Sequence, residues 1–150
     1  MKLILFILIL LSGFSQSAFA KCDFLNSIYQ SLDDSNYELT INEGNQTSSQ
    51  WAIILIKHKT NGNRGIFGVG SSQGAGGSYI YSLDDRHKDL DFNMKLYQFN
   101  DDLTSGNKSP DTPPDYIFIS NLLSFDWYGN QDYGEPYLTD TLWKYKGCIN

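Results

Sequence analysis

Trp51-Ala52-Ile53-Ile54-Leu55-Ile56-Lys57-His58-Lys59-Thr60-Asn61-Gly62-Asn63-Arg64-Gly65-Ile66-Phe67-Gly68-Val69 is the stretch on which the fold turns. Its first six residues are continuously apolar and rich in isoleucine, the signature of a central strand covered on both faces. Asn61-Gly62 then suits a tight hairpin turn, because both residues tolerate positive φ. Gly65 to Val69 reads as the returning strand. By strand parity His58 faces the same way as Ile54 and Ile56, which predicts that it ends a buried face.

The same period of two continues on either side. Tyr37, Leu39 and Ile41 alternate with Glu38, Thr40 and Asn42, and Phe92, Met94 and Leu96 alternate with Asn93, Lys95 and Tyr97. Tyr79 to Leu83, Tyr116 to Leu123 and Thr141 to Tyr145 complete a set of about seven short strands separated by polar turns. A different pattern precedes them. Phe24, Leu25, Ile28 and Leu32 recur at spacings of three and four, which predicts one short helix over 23–33. The expectation is therefore a mostly β single domain, an antiparallel sandwich or barrel with one short N-terminal helix.

The first twenty residues read as a secretory signal. Met1-Lys2 is a short positive start, Leu3 to Leu11 is unbroken apolar sequence, and Ala18-Phe19-Ala20 is a small-x-small cleavage site. The apolar run is shorter than the ~20 residues of a membrane-spanning helix. Lys21 before Cys22 does not match a lipoprotein site. A cut after Ala20 leaves a working domain of residues 21–150, periplasmic or secreted.

Export decides the reading of the two cysteines. In an oxidising compartment Cys22 and Cys148 are expected to pair, tying the two ends of the domain together. Closing so long a loop removes unfolded-state entropy equivalent to ~4–5 kcal/mol in the chain-entropy picture. A bridged pair also takes the two strongest nucleophiles out of catalysis.

Charge narrows the partners. Lys2 leaves with the signal, so ten of the 11 basic residues face 17 acidic ones. That balance argues against nucleic acid, which needs clustered Lys and Arg, and against attraction to anionic lipid. It favours a basic protein partner. Cofactor and metal chemistry find no support. Gly68-Val69-Gly70 opens like a dinucleotide fingerprint, but the third glycine is misplaced and no strand-to-helix context follows. His58 and His87 are the only histidines, too few for a zinc site with the unpaired residues available. Asp84-Asp85 and Asp101-Asp102 lack the alternating ligand spacing of a calcium loop.

Two segments carry the candidate site. Gly70-Ser71-Ser72-Gln73-Gly74, inside the nearly side-chain-free run to Gly77, reads as a slender loop able to enter a partner's cleft. Trp127, Tyr128 and Tyr133 lie in an aromatic, acid-bearing segment suited to anchoring a partner or stacking on sugar. Asp126 and Glu135 beside them form the carboxylate pair a glycosidase would need, though no catalytic set is assigned. Locally, Gln50 to Ile56 resembles the opening strand of aegerolysins, small β-sandwich proteins that bind membrane lipids. The chain departs from that family in its signal peptide, its predicted helix and its lack of Trp- and Gly-rich segments downstream.

These readings converge on an exported, non-enzymatic binding protein. Its most specific form is a small periplasmic inhibitor or immunity protein that blocks a basic enzyme. The alternative is a secreted glycan- or membrane-binding β protein, with a cytolytic form among its variants.

Overall fold

The alternating segments become the staves of one closed antiparallel barrel. The computed structural model describes residues 22–45, 50–71, 78–85, 93–105, 112–129 and 138–149. Its strands are β1 (Ser27–Ser31), β2 (Tyr37–Glu43), β3 (Gln50–His58), β4 (Gly62–Ser71), β5 (Ser78–Ser82), β6 (Met94–Phe99), β7 (Tyr116–Ile119) and β8 (Leu142–Cys148). Each pairs with the next in sequence, and β8 returns to pair with β1. Among the described residues one α-helix, α1 (Leu122–Gly129), lies between β7 and β8.

The predicted N-terminal helix is the main correction. Residues Phe24–Asn26 form a single 3-10 turn, and Ser27–Ser31 are a strand. That strand supplies the eighth stave, one more than the sequence reading counted. Its burial alternates, with Ser27, Tyr29 and Ser31 facing in, and Leu32 of the supposed apolar stripe is exposed. Pairing with both β2 and β8 satisfies its backbone on two sides, which outweighs a weak helical spacing over so few residues. The stretch read as a strand over Tyr116 to Leu123 also divides, into β7 and the start of α1.

The hairpin of Trp51 to Val69 forms, with two corrections. Its turn is residues 59–61, between the paired His58 and Gly62. Strand β3 is buried on one face only, Ile53 and Leu55 being half-buried on the other. Tyr37 to Glu43 pairs with β3 from Tyr37↔His58 to Glu43↔Ala52, and Gly62 opens β4 at φ 75°. His58 is buried beside Tyr37, ring centroids 4.7 Å apart, and its Nδ1 accepts the backbone N–H groups of Thr60 and Asn61.

The barrel interior is filled. Leu39, Ile41, Ala52, Ile54, Ile56, Phe67, Val69, Ile117 and Trp143 all point inward and are 0–1 % exposed. Side chains therefore occupy the space that a ligand-carrying barrel leaves open. The outer wall carries Glu38, Thr40, Lys57, Lys95, Lys144 and Lys146. The same wall also carries Ile53, Leu55, Ile66 and Tyr97, so it is mixed, while the apolar interior differs from the polar lumen of a membrane-spanning barrel. Among the described residues, no helix is long and apolar enough to cross a membrane.

An up-and-down barrel assigns every connection to one of two mouths. The β1–β2, β3–β4, β5–β6 and β7–β8 connections share one, called here the helix mouth. The chain start, the β2–β3, β4–β5 and β6–β7 connections and the end of β8 share the other, the termini mouth.

Candidate functional site

At the helix mouth, α1 is held down by a buried ion pair. A bulge sets Lys57 against Asn63 after Ile56 against Gly65, leaving Arg64 as the extra residue of β4. Such a bulge re-aims a side chain, and Arg64 turns inward. Its Nη2 donates to Asp126 Oδ2 at 3.0 Å, with the two side chains 1 % and 0 % exposed. The same carboxylate oxygen accepts the Leu138 backbone N–H at 2.7 Å. Phe125 packs edge-on against Phe67, centroids 5.1 Å apart. Asp140 accepts the Leu123 N–H in the first turn of the helix. Asp126 is thus a structural anchor, and its reading as one of a pair of exposed sugar-cleaving carboxylates is corrected. Glu135 lies outside the described residues.

With that face pinned, the helix presents Trp127 and Tyr128 to solvent, 49 % and 65 % exposed. Tyr133 lies outside the described residues.

The termini mouth is closed by Phe24 of the 3-10 turn, which packs against Tyr29 and Trp51 at 6.4 and 6.1 Å. Ser27 Oγ donates to the Phe24 carbonyl at 2.6 Å, and the Tyr29 hydroxyl reaches the Pro114 carbonyl. Burial pushes the Tyr29 phenol well above its ordinary value. The same mouth carries Asp23 before the 3-10 turn, Glu43 at the end of β2, and Asp101, Asp102 and Asp115 of the β6–β7 connection. Asp115 Oδ2 accepts the Asp101 N–H, and Asp102 Oδ1 accepts both the N–H and the hydroxyl of Thr104.

The glycine-rich connection leaves the same mouth, bracketed by the Ser71↔Ser78 pair. Gly70 belongs to the wall, not to the loop. An added Cβ there would sit 2.3 Å from Tyr79 Cζ, and one at Gly68 would sit 2.5 Å from Tyr81 Cζ. The two phenol rings lie across the paired glycines, 5.7 Å apart, and the Tyr81 hydroxyl donates to Gln50 Oε1. Ser71 is exposed at the strand end, whereas Ser72, Gln73 and Gly74 lie outside the described residues.

The two candidate segments are therefore apart. Ser71 stands at the termini mouth, and Trp127 and Tyr128 stand at the helix mouth. Three strands, an odd number, separate their connections, so one partner face cannot be built from both ends of the barrel. On the outer wall between β1 and β8 there is a groove of about 260 Å³ lined by Gln30, Ser31, Leu32, Lys144, Tyr145 and Lys146. Among the described residues no group of three His, Cys, Asp or Glu side chains is placed to hold a metal ion.

The expected bridge is not formed. No disulfide joins Cys22 and Cys148, whose sulfurs lie beyond bonding distance at the termini mouth. Both sulfurs contact the Tyr145 hydroxyl, at 3.5 and 3.6 Å. Sequence reasoning missed the Arg64–Asp126 anchor, because neither the bulge nor a helix at Leu122 has a local signal. Comparison with protein-family models, with curated proteins and with solved structures finds no match to this chain.

Proposed function

We propose that the protein is an exported, non-enzymatic binding protein whose termini mouth seats in a basic partner. In its most specific form it is a small inhibitor or immunity protein of a basic enzyme such as a cell-wall hydrolase. The filled interior leaves the surface as the place of recognition. The observation that carries the reading is the sharing of one mouth by five acidic residues and the Ser71↔Ser78 pair, from which the glycine-rich sequence departs. A slender backbone enters a cleft closely, and the surrounding carboxylates attract and orient a cationic partner.

The test is titration of the purified protein into activity assays of basic cell-wall hydrolases at low and moderate salt. Stoichiometric inhibition that weakens with salt, and weakens further in Asp101→Lys/Asp102→Lys, supports the reading. Neither inhibition nor binding across such a panel at low salt sinks it.

A second reading places recognition at the helix mouth, on a glycan or membrane surface. The exposure of Trp127 and Tyr128 on a helix fixed from beneath favours it, since aromatic rings stack on sugars and partition into lipid interfaces. Vesicle or glycan binding lost in Trp127→Ala, with the fold intact, and retained in Asp101→Lys/Asp102→Lys would select this reading over the first.

A further inference from the structure

We propose that Cys22 and Cys148 are a dithiol pair that closes to a disulfide by exchange with an external disulfide, locking the Phe24 plug onto the end of β8. The backbone around them is already docked for it. Ser27 pairs with Cys148, and the Ile149 N–H donates to the Asn26 carbonyl at 2.9 Å. The Cys22 thiol donates to that same Asn26 carbonyl at 3.2 Å and lies 3.9 Å from the Gly147 carbonyl, one residue from its partner. The Tyr145 hydroxyl touches both sulfurs, and its ring is held edge-on against Tyr29 at 5.8 Å. Closure thus joins two side chains that already share one hydrogen-bonding partner on backbone that is already paired.

The two thiols are not equivalent. Hydrogen bonding to Cys22 and to the Tyr145 hydroxyl holds the Cys148 thiol below its ordinary value. Burial, then the hydrogen bond to Cys148, raises the Cys22 thiol. Either thiol can begin the exchange. Its thiolate breaks the S–S bond of the external disulfide, forms a mixed disulfide and releases one thiolate. The other cysteine then gives up its proton and attacks the protein sulfur of that mixed disulfide, releasing the second thiolate. The protein loses two hydrogens, and the external disulfide is reduced to two thiols. The same bond would fix one side of the acidic mouth, but the inference does not depend on any partner.

The experiment equilibrates the purified protein with oxidised and reduced glutathione, then counts free thiols and measures the intact mass. Both thiols are expected to vanish together, with the mass falling by two hydrogens and the chain remaining monomeric on a non-reducing gel. Cys22→Ser and Cys148→Ser each keep one thiol and are expected to stop at a single glutathione adduct. Thiols that persist in excess oxidised glutathione overturn the proposal. So do two separate glutathione adducts or a disulfide-linked dimer. The wild-type mass alone decides the bridge even where a serine variant folds poorly.

Discussion

Arg64 and Asp126 come from elements 62 residues apart and meet at 3.0 Å beneath α1, both sealed from solvent. A charge pair in such a place is costly to halve. Taking away one partner strands the other in a medium that does not solvate it, whereas removing both leaves only a packing problem.

Asp126→Ala is therefore expected to lower the unfolding free energy by about 3–5 kcal/mol, and to leave the Leu138 N–H without its acceptor. Arg64→Met combined with Asp126→Leu should recover much of that loss. Urea unfolding of the three variants checks it. A loss below about 1 kcal/mol in Asp126→Ala would mean that water reaches the pair.

On the same helix, neighbouring aromatic residues should behave oppositely. Phe125 is 1 % exposed against Phe67, so Phe125→Ala is expected to cost about 3–5 kcal/mol. Trp127→Ala and Tyr128→Ala lie on the solvent side and should stay within about 0.5 kcal/mol of wild type. Denaturant midpoints of the three decide whether the face of α1 can be probed without disturbing the barrel. An equal loss in all three would contradict the orientation described for this helix.

Glycine-to-alanine changes should rank by what the new methyl group meets. At Gly44 it would lie 2.6–2.8 Å from backbone atoms of residues 50–52, which cannot swing aside. At Gly68 it meets the outer end of the Tyr81 ring, which can lift into solvent at the cost of its Gln50 hydrogen bond. Overpacking of this kind costs about 1–3 kcal/mol, with Gly44→Ala at the upper end and Gly68→Ala at the lower. Adding Tyr81→Ser should make Gly68→Ala nearly free, read as the coupling in a double-mutant cycle. The reverse ranking would refute the steric account.

Alkaline pH should loosen the fold. Burial raises the phenols of Tyr29, Tyr37, Tyr81 and Tyr145 above the ordinary value of 10. Below that pH both folded and unfolded chains keep these protons, and the stability is complete. Above it the unfolded chain releases them while the folded chain holds them, so stability falls as pH rises. Unfolding free energies measured from pH 8 to 11 should decline, and more shallowly in Tyr29→Phe. A profile unaffected by that substitution would argue that Tyr29 ionises freely.

Much of this architecture could be read from residue alternation. Leu39/Ile41, Ile54/Ile56 and Met94/Leu96 mark inward faces because a pleated strand turns successive side chains to opposite sides. Ser27–Ser31 resisted, because Ser, Tyr and Gln carry little apolar signal and Leu25, Ile28 and Leu32 happen to fall at helical spacing. Only the two neighbouring strands reveal it as a stave. The separation of Ser71 from Trp127 was within reach of parity, since the strands between their connections were recognised. The burial of Asp126 was not, because it depends on an arginine that a bulge turns inward. The meeting of both cysteine sulfurs with the Tyr145 hydroxyl was likewise out of reach, because it depends on how β8 lies beside the 3-10 turn.

Because β1 pairs with β8, the wall is sealed by the earliest and the latest strands of the domain. Contacts between such distant parts of a chain form late, and barrels of this kind fold on the order of milliseconds to seconds. Until Leu142 to Cys148 are in place, β1 and β7 each carry a row of unpaired backbone groups. A stalled or trimmed chain lacking that last strand is an open sheet with two adhesive edges, prone to pair with its own copies.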